Sequence, residues 1–373
     1  MANKKSIVIS AINFFEGGPL SVFKDCLDFV NNSKYQDDYK FVALVHKKEL
    51  FDQMVYSNID FIEFPKSRKS YFYRLYYEYI YFRKFAENNN VSFWFSLHDM
   101  TPSVGKIPQA VYCHNPSPFN SLNFKDIYVQ PTQFFFRLFY SFLYQINIKR
   151  NKYVVVQQLW MKNKFVEMFG LNKNNIIVAP PEVATIHSKY LNIDIKLQSE
   201  PKIFFFPTFP RPFKNIEVIC EAVKLLFAVE KKFKVVITID GSENKYSKTV
   251  FNLYKKIENI NFIGLIKREE VYEYYSKSDC LIFPSKLETW GLPISEFKQF
   301  KKPMLLADLP YAKETVGNYD FVNFFDPNDH FKLAELMLNF LNTNQKFEKN
   351  NLMNDDEPCV HGWSALFEAF LKK

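Results

Sequence analysis

Residues 279–296 read DCLIFPSKLETWGLPISE. The opening run, Asp279 to Phe283, is short, apolar and closed by a turn signal, as a buried strand is. Pro293 suits a helix's first turn, where its missing N–H would be unsatisfied anyway and its φ is already helical. A strand, a loop and a helix in that order make half of a βαβ unit, the building block of doubly wound α/β folds. Gly291, Leu292 and the first helical turn would then aim free N–H groups at a ligand beyond the strand's carboxyl end, in outline a pyrophosphate site. Glu288 in the loop and Glu296 in the helix can reach different parts of one extended ligand. Carboxylates repel phosphate, so they are expected to accept from sugar and ribose hydroxyls. On spacing alone, a loop glutamate and an exposed helical one without a shared ligand are the commoner reading.

Outward from this unit the same rhythm repeats. IVISA at 7, FVALV at 41, FWFSL at 93, AVYC at 110 and YVVV at 153 alternate with longer amphipathic stretches, as strands of a parallel sheet do. The pattern pauses at Pro180 and Pro181 and resumes with IFFF at 203, VVITI at 235, FIG at 262, CLIF at 280 and PMLLA at 303. At roughly 150 residues per domain, 373 residues also make two domains. The expected division is a Rossmann-like domain over 1–185, a second over 186–355 and a closing helix over 356–373, with ligands held in a central cleft where strand ends converge.

Composition removes several classes. With 47% hydrophobic and 24% charged residues, general disorder is excluded. The only apolar run near the amino terminus is the strand-like Ile7 to Ala11, too short for a signal peptide, so a cytoplasmic location is expected. No window reaches the ~18 uninterrupted apolar residues of a membrane span. Five scattered cysteines without a C-x-x-C spacing argue against a disulfide framework or a zinc site.

Charge is uneven. Residues 1–180 hold 22 Lys plus Arg against 14 Asp plus Glu, whereas the remainder holds 26 against 26, so the whole +8 belongs to the first half. Segments 66–84 and 130–152 mix Tyr and Phe with Arg and Lys at helical spacing. They fit either a membrane interface, on the inner face of an anionic bilayer, or a domain core. No nucleic-acid module is present.

With these residues in view, Glu288-x7-Glu296 inside PSKLETWGLPISE resembles the signature of the family 4 retaining glycosyltransferases, of bacterial surface-polysaccharide type. Glu16-Gly17-Gly18-Pro19, His98-Asp99, Tyr112-Cys113-His114-Asn115, Lys214-Asn215, Asp240-Gly241 and Ile263-Gly264-Leu265-Ile266 match in the family's order. The resemblance implies a GT-B fold and a glycosyl donor activated as a nucleotide sugar, with a UDP-sugar favoured over GDP- or dTDP-sugars. It implies that Glu288 contacts the transferred sugar, that His114 meets that sugar too, and that Glu296 holds the ribose. It places Gly17, Gly18, Arg211, Lys214, Ile266, Thr289, Trp290, Gly291 and Leu292 around the donor. Three departures stand out: Arg211 precedes Lys214 by three residues rather than five, Thr289-Trp290 replaces the usual Gly-Phe, and Gln157 stands where a serine is common after the last strand of the first domain.

The expected reaction is transfer to a glycan or lipid-linked acceptor with retained configuration, without a cofactor and without a metal ion, since Arg211 and Lys214 supply the positive charge. A nucleotide-sugar epimerase of the same fold and a non-catalytic GT-B scaffold remain the alternatives.

Overall fold

The computed structural model describes residues 4–51, 56–119, 139–191, 201–344, 346–350 and 359–372. The chain divides into two compact units, residues 1–182 with 356–373, and residues 183–355. Residues 130–138 of the second aromatic-basic segment and most of the turn-rich stretch after Asn350 lie outside the described residues.

The first unit is a parallel sheet of seven strands: β1 (Lys5–Ala11), β2 (Tyr39–Val45), β3 (Ile59–Glu63), β4 (Val91–Ser96), β5 (Gln109–Tyr112), β6 (Tyr153–Val156) and β7 (Ile176–Val178). Their order is β3-β2-β1-β4-β5-β6-β7. Both faces are covered, which is why the strands read as continuous apolar runs rather than alternating ones: Ile7, Val8 and Ile9 are all fully buried.

The second unit repeats the plan with β8 (Lys202–Phe206), β9 (Phe233–Ile237), β10 (Ile260–Phe262), β11 (Cys280–Phe283), β12 (Met304–Ala307), β13 (Tyr319–Phe325) and β14 (Glu348–Asn350), in the order β10-β9-β8-β11-β12-β13-β14. Only the edge pair β13 and β14 is antiparallel among these pairings. In each sheet the order reverses beside its first strand, between β1 and β4 and between β8 and β11, the place where such folds hold ligands.

The closing helix, Gly362–Leu371, is built into the first unit. Phe367 packs against Phe29, Phe41 and Phe95, and Phe370 stacks on Phe93 at 5.2 Å. Its apolar face therefore completes the first sheet's core instead of standing apart as a separate segment. The five cysteines are free thiols; all but Cys359 are buried.

Candidate active site

In the second unit two loops leave neighbouring strands at the switch point. The loop after β8 closes in a tight turn, Pro212–Lys214, ending at Asn215 in the left-handed region, φ 58°. The Asn215 side-chain amide donates to the carbonyls of Pro284, at 3.2 Å, and Pro327, at 2.6 Å. Lys286 N donates to Phe213 O at 2.7 Å, and Tyr311 Oη donates to Ser285 O at 2.6 Å. These bonds fasten the two loops together, and the result is a contact between two distant residues: Lys214 Nζ lies 2.5 Å from Glu288 Oε1. Both side chains are mostly buried, at 17% and 15% exposure. Arg211 opens the same turn; it is exposed, with its guanidinium 5.1 Å from the Phe209 ring centre.

Thr289 and Trp290 continue the loop half-buried. Trp290 Nε1 donates to Ser295 Oγ at 2.9 Å, and Thr315 Oγ1 donates to the Trp290 carbonyl. Gly291 then takes φ 88°, and a Cβ there would meet Ile294 Cδ1 at 3.3 Å, so glycine is required by backbone and packing together. Leu292 begins a short helix, Leu292–Lys298, with Pro293 in its first turn.

Glu296 on that helix is 7% exposed. Arg268 Nη2 reaches its Oε1 at 2.9 Å, and Tyr275 Oη donates to its Oε2 at 3.0 Å. Burial raises the Glu296 pKa, while the Arg268 charge and the two hydrogen bonds oppose that rise. Arg268 and Tyr275 lie on one helix, Arg268–Lys277, spaced by about two turns and so on one face. Lys302 Nζ ties down that helix's end, donating to the carbonyls of Tyr275, Ser276 and Ser278 at 3.1, 2.5 and 2.7 Å. Sequence reasoning missed these three residues: their spacing was visible, but nothing said that the helix face met a carboxylate. Ile266 stands half-buried just before Arg268. Gly264, φ 73°, presses this loop onto Asp240, whose Oδ2 a Cβ would meet at 2.9 Å.

In the first unit, Gly17 and Gly18 open the helix Gly17–Asn31 after β1, and both are exposed. A Cβ at either would meet nothing within 4 Å, so no contact inside this unit requires glycine there, although Gly17 has φ 71°. His114 follows β5. Its ring lies 4.2 Å from Tyr112 and 5.9 Å from Phe14, centre to centre. Burial lowers its pKa, the neighbouring Asp99 opposing, so the imidazole is neutral near pH 7. Its Nε2 is buried with no hydrogen-bond partner among the described residues. Asp99, at φ 68°, holds this turn: its Oδ1 accepts from His114 N at 2.5 Å, Asn115 N at 3.1 Å and Tyr144 Oη at 2.8 Å.

Each unit thus presents its chemistry at the carboxyl ends of its central strands. The likeness to known proteins follows the same division. Residues 192–354, within the second unit, match the family model "Glycosyl transferases group 1". The fold is GT-B. A glycosyltransferase from Rickettsia africae superposes with a TM-score of 0.63 at 16% identity, over 91% of this chain and 89% of that one. The Anabaena protein Alr3699/HepE, solved with UDP, gives 0.63 at 14% identity over 93% and 92%. Among curated proteins, the O-antigen chain mannosyltransferase RfbU of Salmonella typhimurium is 22% identical over 213 residues, 56% of this chain and 55% of the relative. The aligned region spans about half the length of that relative. Among the described residues there is no group of three or more His, Cys, Asp or Glu side chains placed to hold a metal ion.

Proposed function

We propose that this chain is a retaining glycosyltransferase that moves a sugar from a nucleotide sugar, preferably a UDP-sugar, to a glycan or lipid-linked acceptor in surface polysaccharide synthesis. The observation that carries this reading is the Lys214–Glu288 contact at the β8/β11 switch point, within the region that matches the family. It is supported by the UDP bound to the Anabaena relative in fold and by the O-antigen role named for the Salmonella relative.

Lys214 and Arg211 face the charge that accumulates on the departing nucleoside diphosphate, the kind of fixed electrostatic help that lowers such barriers. Lys214 has three N–H donors and spends one on Glu288, which leaves two for phosphate oxygens. Glu296 has each carboxylate oxygen engaged once, and each retains a further lone pair for a ribose hydroxyl. Glu288 accepts from the transferred sugar and stabilises positive charge at its anomeric carbon. His114, neutral and with an unfilled ring nitrogen, is the first unit's proposed sugar-contacting residue. No covalent intermediate is invoked: the acceptor attacks on the face the diphosphate leaves, and a leaving phosphate oxygen takes the acceptor's proton. The cations do the work of a metal, so transfer should be metal-independent.

A thermal-shift panel of UDP-, GDP- and dTDP-sugars tests the reading, because a ligand that binds only the folded state raises stability by mass action. A UDP-sugar should raise the melting temperature of the full chain and release UDP when turned over. No shift with any member would refute it.

The first unit is proposed to rest on an anionic membrane. Phe72, Ile80 and Phe142 are 85%, 58% and 60% exposed, while Phe82 and Tyr144 of the same stretches are core. The buried rings belong to the core, and the exposed ones support the proposed interface. Lys66, Lys69, Arg83 and Lys84 are exposed beside the aromatics, a combination that suits an interface with anionic lipid. No helix among the described residues is long and apolar enough to cross a membrane.

A further inference from the structure

A pocket of about 230 Å³ lies wholly within the first unit, at the carboxyl ends of β1 and β3. It is smaller than the roughly 300–1,000 Å³ of sites for drug-sized ligands, and suits one charged group with one ring. Arg68 and Arg74 line it with Tyr71, Tyr140 and Phe15, and no carboxylate does.

Arg74 is the unusual member. It is 5% exposed, so it is not a solvated surface charge. Its Nη2 donates to His98 O at 3.1 Å, while its buried Nε has no acceptor among the described residues. Burial opposes its charge, but Tyr140, which also hydrogen-bonds to it, Glu78 and Asp99 hold its pKa above the ordinary value, so it stays a cation with only Nε left without an acceptor among the described residues. Glu78 is fully buried, and burial pushes its carboxyl up to about 8, which leaves it largely protonated at neutral pH. His98, 3.2 Å from Glu78 Oε1, is held neutral by burial. Asp99 has Oδ1 committed to three donors in the His114 turn. A buried, incompletely paired cation is costly, so its place beside an open pocket points to an anionic ligand. Glu78 itself sits in a single π-helical turn, Tyr77–Tyr81, an irregularity often found at functional sites.

The other walls refine the ligand. Arg68 lies 3.2 Å over the Phe15 ring centre, which pins an exposed cation at the pocket's mouth. Asn13 Oδ1 is buried with no donor among the described residues, a place for a ligand hydroxyl. Between Asn13 and Phe15 stands Phe14, which packs on His114, so the pocket and the His114 turn share one loop. Tyr71 lines the pocket and also packs edge-on against Phe139, 37% exposed, at 5.5 Å, so the pocket adjoins the aromatic face.

We propose that this pocket binds the phosphoryl group of a sugar phosphate, with Arg74 Nε and Arg68 on the phosphate, Asn13 on a sugar hydroxyl and the aromatic rings against the sugar. In calling that ligand the acceptor or its carrier, the proposal rests on the glycosyltransferase reading; the binding itself does not. The phosphate can be free or lipid-borne.

Calorimetric titration of the full chain with glucose 1-phosphate, glucose and inorganic phosphate tests it, together with sedimentation on phosphatidylcholine vesicles containing phosphatidic acid, phosphatidylserine at equal charge, or neither. Glucose 1-phosphate should bind and glucose should not, and Arg68→Gln should weaken binding by roughly tenfold or more, as loss of a charge-assisted contact does. Arg74→Met should abolish it; if that variant melts abnormally, Asn13→Ala combined with Arg68→Gln takes its place. A lipid-borne source appears as binding to phosphatidic acid vesicles beyond that to phosphatidylserine vesicles of equal charge, an excess that Arg68→Gln removes. UDP affinity should be unchanged in every variant, so a failure here is distinguishable from a failure of the donor site. Absence of binding to both phosphate sources, or equal binding by the properly folded variants, would overturn the proposal.

Discussion

Lys214 and Glu288 form one pair, yet their substitutions should push UDP binding in opposite directions. Lys214→Met removes a charge-assisted contact to the diphosphate and leaves a mostly buried Glu288 carboxylate unpaired nearby. A hydrogen bond to a charged group contributes about 1.5–3 kcal/mol, so Kd should rise roughly 10- to 100-fold at about 1.4 kcal/mol per decade. Glu288→Gln leaves Lys214 charged, frees it from its internal anion and removes a repulsive carboxylate. UDP should then bind as tightly as before or more so, while transfer falls by two or more decades, since a group acting at the reacting carbon is lost. Because the two side chains touch, the double variant should be non-additive. Isothermal titration with UDP and a UDP-release assay on all four proteins decide it. Equal weakening of UDP binding by both single variants would refute the argument, because it would mean the pair acts only as a structural clamp.

Stability should fall as pH rises from about 4.5 to about 8 through Glu78, because the folded carboxyl titrates near 8 and the unfolded one near 4.5. The folded state holds more protons across that window, and the effect is on the order of a few kcal/mol at most; Glu78→Gln should flatten this slope in urea melts at successive pH values. Gly291→Ala should cost about 1–2 kcal/mol for a side chain at left-handed φ, with a further penalty against Ile294, read as a lower melting temperature and weaker UDP affinity. EDTA should leave transfer intact; loss restored by magnesium or manganese would defeat the assignment of charge neutralisation to Arg211 and Lys214. Replacing Lys66, Lys69, Arg83 and Lys84 by glutamate should abolish sedimentation with anionic vesicles at low salt, and unchanged sedimentation would refute the membrane reading.

The strands were legible because both sheet faces are covered and the runs are almost wholly apolar: IVISA, FVALV, CLIF and MLLA each lie within or on an observed strand. Four strands were not singled out. Ile59–Glu63 is interrupted by acids, Ile176–Val178 is very short, Tyr319–Phe325 mixes Asp320 and Asn323 into its run, and Glu348–Asn350 is short and wholly polar. Strand order was beyond periodicity altogether, since nothing local records that β1 lies between β2 and β4. At the site, local motifs were visible, but the pairing of Lys214 with Glu288 depends on the two loops being bonded through Asn215, and Arg268 with Tyr275 acquires meaning only when Glu296 is seen beneath them. The aromatic segment 66–84 illustrates a different limit: composition revealed an amphipathic helix, but not which ring faced inward.

The return of the chain to its first unit has a consequence for how the protein is made. Phe367 and Phe370 fill the core beneath β1, β2 and β4, yet residues 183–355 are synthesised before them. On a ribosome the first unit waits, its core open against Phe29, Phe41, Phe93 and Phe95, until the whole second unit has emerged. The second unit has all its own strands by then and can fold first, reversing the usual amino-to-carboxyl order of domain maturation. A nascent chain arrested before residue 362 would therefore carry a finished second unit and an unfinished, sticky first unit, the state in which chaperones would be expected to find it.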